Sequence, residues 1–176
     1  MKIIRQVDSA KIVEKLLKTV AAKHVIDTTF GVGRFYKYYK PKLLVGIDPN
    51  IYEEYVVKPD IFIPKPVWAA IYILEKINID FDTLVTDPPF YKTRPRGKDK
   101  RTYFYNIIGT PDLILRKSIE LAIKLDIEYI LIHYGSEIED ILDKLLDSYE
   151  IIDKILYEYK AGFLNVKSFF YLIMIL

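Results

Sequence analysis

His24-Val25-Ile26-Asp27-Thr28-Thr29-Phe30-Gly31-Val32-Gly33 reads as a short buried strand that runs directly into a glycine turn. That junction decides the fold class. Gly31 and Gly33 can adopt positive φ and let a ligand approach the backbone, and a following helix would present its N-terminal N–H groups to it. The third glycine of the dinucleotide fingerprint is missing, because Phe35 and Tyr36 occupy its place, which argues against NAD. The next apolar run, Lys42-Leu43-Leu44-Val45-Gly46-Ile47, ends in Asp48, twenty-one residues after Asp27. That is the spacing at which a strand-end acid meets ribose hydroxyls in such folds; the plainer reading is a turn cap before Pro49 and Asn50.

Outward from this junction, strand and helix patterns alternate. Asp8-Ser9 precedes an amphipathic helix whose apolar positions Ile12, Val13, Leu16, Leu17 and Val20 recur at helical spacing. Val67 to Ile77 reads as a helix, Leu84-Val85 as a strand, and Thr110-Pro111-Asp112 opens a helix running to Lys124. Glu128 to His133 is a buried strand and Glu137 to Leu146 a helix. Tyr149 to Tyr159 and Ser168 to Leu176 form an antiparallel pair, the second apolar enough to be central. Val56 to Ile63 contains Pro59 and makes a poor strand. The expectation is an α/β, Rossmann-like, doubly wound and mostly parallel seven-stranded sheet with a C-terminal antiparallel hairpin, in one domain over residues 1–176.

The strand at Leu84-Val85 delivers Asp87-Pro88-Pro89-Phe90. Two consecutive prolines stop a strand and leave carbonyls without neighbouring donors. Asp87 accepts hydrogen bonds, and Phe90 can stack on a flat base. The four residues suit an exocyclic amino group, against the simpler reading of a strand-to-loop turn.

Together, Asp27-Thr28-Thr29-Phe30-Gly31-Val32-Gly33, Asp48 and Asp87-Pro88-Pro89-Phe90 resemble the ordered motifs of class I S-adenosylmethionine-dependent methyltransferases, in the amino-methyltransferase branch. The resemblance implies that Asp27, Thr28, Phe30, Gly31, Gly33 and Asp48 hold S-adenosylmethionine. It implies that Asp87, Pro88, Pro89 and Phe90 receive the amine to be methylated, and it would give Asp60 to the adenine. Arg34 departs from the family, which often has a small residue there. His133 could line the pocket, although a satisfied structural histidine is the commoner role.

Lys92 to Arg101 carries six basic residues, Lys92, Arg94, Arg96, Lys98, Lys100 and Arg101, against one acid, in a chain whose formal charge is +2. Directly after the amino-group motif, such a run is placed to engage phosphates, and Tyr103, Phe104 and Tyr105 add stacking surfaces. Nucleic acid is the expected partner; a solvated charged loop is the alternative. The expected activity is methylation of an exocyclic base amine, with DNA adenine or cytosine slightly ahead of RNA. A non-catalytic nucleic-acid-binding subunit of the same fold and a protein-glutamine methyltransferase, which would carry Asn in place of Asp87, are the alternatives. Zero cysteines exclude disulfides, cysteine zinc sites and thiol nucleophiles, and two histidines leave little for a metal. No apolar run approaches a membrane span and no signal-peptide core follows Met1, so a cytoplasmic protein is expected.

Overall fold

The computed structural model describes residues 2–77, 79–89, 110–161 and 164–176. Among the described residues, eight strands form one mixed sheet: β1 (Lys2–Arg5), β2 (His24–Asp27), β3 (Leu43–Ile47), β4 (Ile61–Ile63), β5 (Thr83–Thr86), β6 (Tyr129–Tyr134), β7 (Tyr149–Ala161) and β8 (Leu164–Ile175). Their order is β1-β7-β8-β6-β5-β2-β3-β4. The helices among the described residues are α1 (Ser9–Thr19), α2 (Val67–Leu74), α3 (Pro111–Lys124) and α4 (Glu139–Leu145).

Strands β2 to β6 pair in parallel, and β8 inserts antiparallel between β6 and β7. The sheet therefore has eight strands where seven were expected. The additional one is β1, which pairs in parallel with β7 from Lys2↔Ile155 to Arg5↔Glu158. Four residues with charge at both ends give almost no strand signal; the pairing comes from the exposed edge of β7. The Pro59 segment contributes only its last three residues, β4, as the missing proline donor requires.

Alternate strand residues build two apolar layers. Ile26, Val45, Leu84, Ile130, Ile132, Tyr171 and Ile173 face one way, under α2, α3 and α4; Val25, Leu44, Val85, Leu131, Phe170 and Leu172 face α1. Leu16 and Leu17 of α1 are fully buried on the second layer, each contributing roughly 1.5–3 kcal/mol of burial.

Helices α1 and α3 end alike. Ala21 (φ 50°) and Asp126 (φ 53°) take the left-handed conformation. Ala22 N–H then reaches back to the Leu17 carbonyl, and Ile127 N–H to Ala122, closing the last helical turn and reversing the chain into β2 and β6. The Asp82 carboxylate fixes the start of β2 by accepting from the amides of Lys23 and His24, both at 2.9 Å. These joins set how far each strand extends toward the sheet edge where Asp27, Asp48, Asp87 and Tyr134 emerge.

Candidate functional site

The chain leaves β2 toward β3 and β4 on one side, and later fills β5 and β6 on the other, so the connection reverses direction between β2 and β5. In open α/β sheets ligands bind in the crevice outside the strand ends at such a reversal. A cavity of about 940 Å³ lies there, lined by Asp27, Thr29, Gly31, Asp87, Pro89 and His133, with Gln6 to Ser9 and Tyr157 on its far wall.

The glycine turn is built for close backbone approach. Gly31 has φ 55° and Gly33 φ 74°. A Cβ on Gly33 would meet the Val57 carbonyl oxygen at 2.2 Å, so nothing larger fits, whereas one on Gly31 would meet only Thr29 O at 3.9 Å. Gly31 thus faces open space on the cavity side. Phe30 packs beneath, 5.9 Å from the Tyr36 ring, and presses on Gly46, where a Cβ would lie 2.6 Å from its ring.

The expected helix after Gly33 is absent. Arg34–Tyr36 forms a single 3₁₀ turn. Arg34-Phe35-Tyr36-Lys37-Tyr38-Tyr39 is rich in aromatic residues of modest helix propensity, and Lys40-Pro41 restricts the continuation. The Tyr36 hydroxyl is drawn to the Asp27 carboxylate at 3.0 Å, and Tyr39 donates to the Ala22 carbonyl. An anion-binding helix end is therefore not available here.

Asp27 is buried. Its Oδ1 accepts from Thr29 N–H at 2.9 Å and its Oδ2 from Tyr36. Burial pushes its carboxyl up to about 7, with the charges of Asp87 and Asp48 adding to the rise and the Thr29 and Tyr36 hydrogen bonds opposing it. Burial, with the Asp27 charge beside it, also drives the Tyr36 phenol well above its ordinary value, so Tyr36 stays the donor.

Asp48 is fully buried and lies off the large cavity. Its Oδ2 accepts from Gly31 N–H at 2.9 Å and its Oδ1 from Asn50 N–H at 2.8 Å and Asn50 Nδ2 at 3.2 Å. Burial raises its carboxyl and these bonds oppose the rise. It borders a gap of about 20 Å³ with Thr28, Pro66 and Trp68. Thr28 is turned into the core, 2.8 Å from Ser118 Oγ. Asp60 accepts from Leu44 N–H at 2.8 Å, a clamp between β3 and β4.

Asp87 and Pro89 line the cavity, and Pro88 is buried behind them. The Asp87 amide donates to Thr29 Oγ1 at 2.6 Å, which ties the acceptor motif to the glycine turn. Phe90 and the basic residues Lys92, Arg94, Arg96, Lys98, Lys100 and Arg101 lie outside the described residues.

His133 was expected to be structural and is found on the cavity wall. Its Nδ1 is 2.9 Å from Asp87 Oδ1 and its Nε2 is 2.8 Å from Ser168 Oγ. The imidazole lies flat on Phe170, at 4.0 Å and 6°. Thr29 and His133 are the residues that sequence reasoning missed or demoted. Thr29 sat inside the quoted motif; His133 needed the β6–β8 register, which sets it opposite Phe170. Among the described residues, no group of three or more His, Asp or Glu is placed to hold a metal, and no helix is long and apolar enough to cross a membrane.

No protein-family model and no curated protein matches this sequence. Solved structures do match in shape. A Thermoplasma acidophilum protein aligns over 94% of this chain and 88% of its own, with TM-score 0.57 and 13% identity. An rRNA methylase from Streptococcus thermophilus aligns over 94% and 95%, with TM-score 0.56 and 13% identity. The chain has the fold of S-adenosylmethionine-dependent methyltransferases. A magnesium protoporphyrin IX methyltransferase from Synechocystis with bound S-adenosylmethionine aligns over 94% and 77%, with TM-score 0.54 and 11% identity. An RNA and a porphyrin enzyme thus share this fold, and the acceptor has to be read from the site.

Proposed function

We propose that this chain is an S-adenosylmethionine-dependent methyltransferase acting on an exocyclic amino group of a nucleic-acid base. The observation that carries the reading is that Asp87 and Pro89 share one cavity with Asp27 and Gly31, joined through Thr29. The cavity fits the cofactor: about 940 Å³ is ample for a nucleoside with an amino-acid tail, Gly31 leaves its floor open, and the buried Asp27 carboxyl gains from a cation. Asp27 and Gly31 would hold the amino-acid end, while Gly33, off the cavity, closes the turn against Val57, with Phe30 and Thr28 packed below. Asp48, with three of its roughly four acceptor positions used by Gly31 and Asn50, would support the cofactor through the Gly31 turn that it holds.

Bound there, S-adenosylmethionine supplies a methyl carbon that an amine nitrogen can take while the sulfur keeps the electron pair. The chain's own work is alignment and polarisation. Asp87 accepts from the amine N–H and takes the proton that the methylated nitrogen sheds; Phe90 supplies a stacking face. The six basic residues from Lys92 to Arg101 neutralise phosphates, and a base in duplex would first have to flip out. An rRNA methylase shares this fold, so RNA is the first polymer to test, with DNA beside it.

The test is direct. Melting temperature should rise with S-adenosylmethionine or its demethylated product. Labelled methyl should then pass to RNA, with DNA and protein pools as the other arms, and base analysis should find an N-methylated base. Binding of neither ligand overturns the reading; transfer to protein alone overturns its substrate half.

A further inference from the structure

Ser168, His133 and Asp87 have the residue types of a hydrolase triad, but they point the other way. Ser168 is fully buried and His133 nearly so, whereas the Asp87 side chain is 35% exposed and faces the cavity. A serine sealed behind its histidine cannot attack a ligand. What the chain of contacts does instead is fix a carboxylate.

We infer that His133 is the positioning residue of Asp87. It holds the Nδ1–H tautomer, donates to Asp87 Oδ1, and leaves Oδ2 for the acceptor amine. The inference rests on the proposed amine chemistry for its function, but its geometry stands independently. Among the contacts that hold the imidazole are the Phe170 face at 4.0 Å, Ser168 Oγ at Nε2, and Asp87 at Nδ1. A carboxylate is an acceptor only, so Nδ1 carries the hydrogen. In the neutral ring Nε2 is the acceptor, and the Ser168 hydroxyl donates to it. The Asp87 backbone is pinned at the same time by its amide bond to Thr29. Backbone and one carboxylate oxygen are thus both anchored, and Oδ2 is left to a ligand on a side chain that lines the cavity. When the methylated nitrogen releases its proton, Oδ2 receives it, and the His133 bond to Oδ1 persists with the carboxyl neutral.

The chain has two histidines, so imidazole nitrogen NMR of the wild-type protein, with His24→Gln to assign the second ring, reads the tautomer without any turnover. His133 should show a protonated Nδ1, slowly exchanging and shifted by Asp87→Ala, and an unprotonated Nε2 shifted by Ser168→Ala. An Nε2–H tautomer overturns the inference whether or not methyl transfer is ever found.

Two isosteres then separate positioning from packing. Asparagine at 133 places an amide N–H near the Nδ1 position, and glutamine places one near Nε2. Methyl transfer by His133→Asn should stay within a few-fold of wild type. Turnover of His133→Gln and His133→Leu should fall about 10- to 100-fold, with KM and calorimetric affinity for the demethylated cofactor unchanged. Glutamine performing as well as asparagine, or all three variants losing cofactor affinity together, would mean that His133 only fills space. Wild type binding no cofactor would sink the proposed activity and leave the tautomer result standing.

Discussion

Asp27 and Asp87 end neighbouring parallel strands and face one cavity, yet their environments are opposite. Asp27 is buried, bonded on both oxygens by Thr29 and Tyr36, and its carboxyl is pushed up to about 7. Asp87 is partly exposed, anchored at its amide and at one oxygen, and its residue lines the cavity. The first is a group whose charge is costly until a cation arrives; the second is a ready acceptor. Sequence made them alike, as acids at strand ends. The difference arises in the residues C-terminal to each acid: an aromatic turn brings the Tyr36 hydroxyl back onto Asp27, while the two prolines after Asp87 have no amide hydrogen to donate to it.

The largest expected effect breaks this comparison at the acceptor side. Asp87→Ala should lower methyl transfer by about 10²- to 10³-fold, the usual cost of removing one well-placed polar partner of the reacting group. Affinity for the demethylated cofactor should remain within a few-fold, since Asp27 and the glycine turn are left intact. Single-turnover rates beside calorimetry check both halves. A variant that keeps its turnover, or loses its cofactor, removes the division of labour between the two acids.

That division was only half legible in the sequence. Strand and turn signals around Asp27, Asp48 and Asp87 are local, and they place the site at the reversal between β2 and β5. The hairpin β7–β8 and the capped helix α3 arise equally from short-range chemistry. Three features depend on long-range pairing, and local signals alone did not decide them. Strand β1 exists because β7 offers an edge. The 3₁₀ turn replaces a helix because Tyr36 and Tyr39 find partners in β2 and after α1. His133 reaches Asp87 because β5 and β6 pair in parallel, with Thr86 beside Ile132. Asp48 carries the same lesson: its position along the chain was readable, but its enclosure by Gly31 and Asn50 was not.

A middle-sized effect sharpens the comparison at the cofactor side. The folded-state carboxyl of Asp27 lies near 7 against an ordinary 3.8, so the folded protein holds a proton that the unfolded chain has released between those values. Its stabilising share is present in acid and lost as pH climbs through about 7. A cationic ligand prefers the ionised form, so its binding must expel that proton below pH 7. Affinity for S-adenosylmethionine should therefore rise about tenfold from pH 6 to pH 8, given a carboxyl near 7. Proton release should appear as a buffer-dependent binding enthalpy at pH 6. Asp27→Asn should flatten the affinity profile and make the ligand-free protein less sensitive to pH over the same window. A flat wild-type profile would mean that Asp27 does not meet the cation.

The smallest effect belongs to Thr29, the side chain that touches both acids. Its Oγ1 accepts from Asp87 N–H at 2.6 Å and donates to Asp27 Oδ1 across a longer 3.4 Å. Thr29→Val keeps the shape and deletes both bonds, leaving the Asp87 amide to whatever water the cavity supplies. Because the site is half-exposed, the loss should be about 1 kcal/mol, seen as a fall in melting temperature of about 2–4 °C for a domain of this size. Thr29→Ser, which retains the hydroxyl, should recover most of it. The functional readout decides whether the acids are coupled. If Thr29 is the link, Thr29→Val lowers cofactor affinity and turnover together, each by a few-fold, and its effect on turnover shrinks in an Asp87→Ala background. A change confined to one parameter would show two independent half-sites that share a wall, with Thr29 serving only the one it alters.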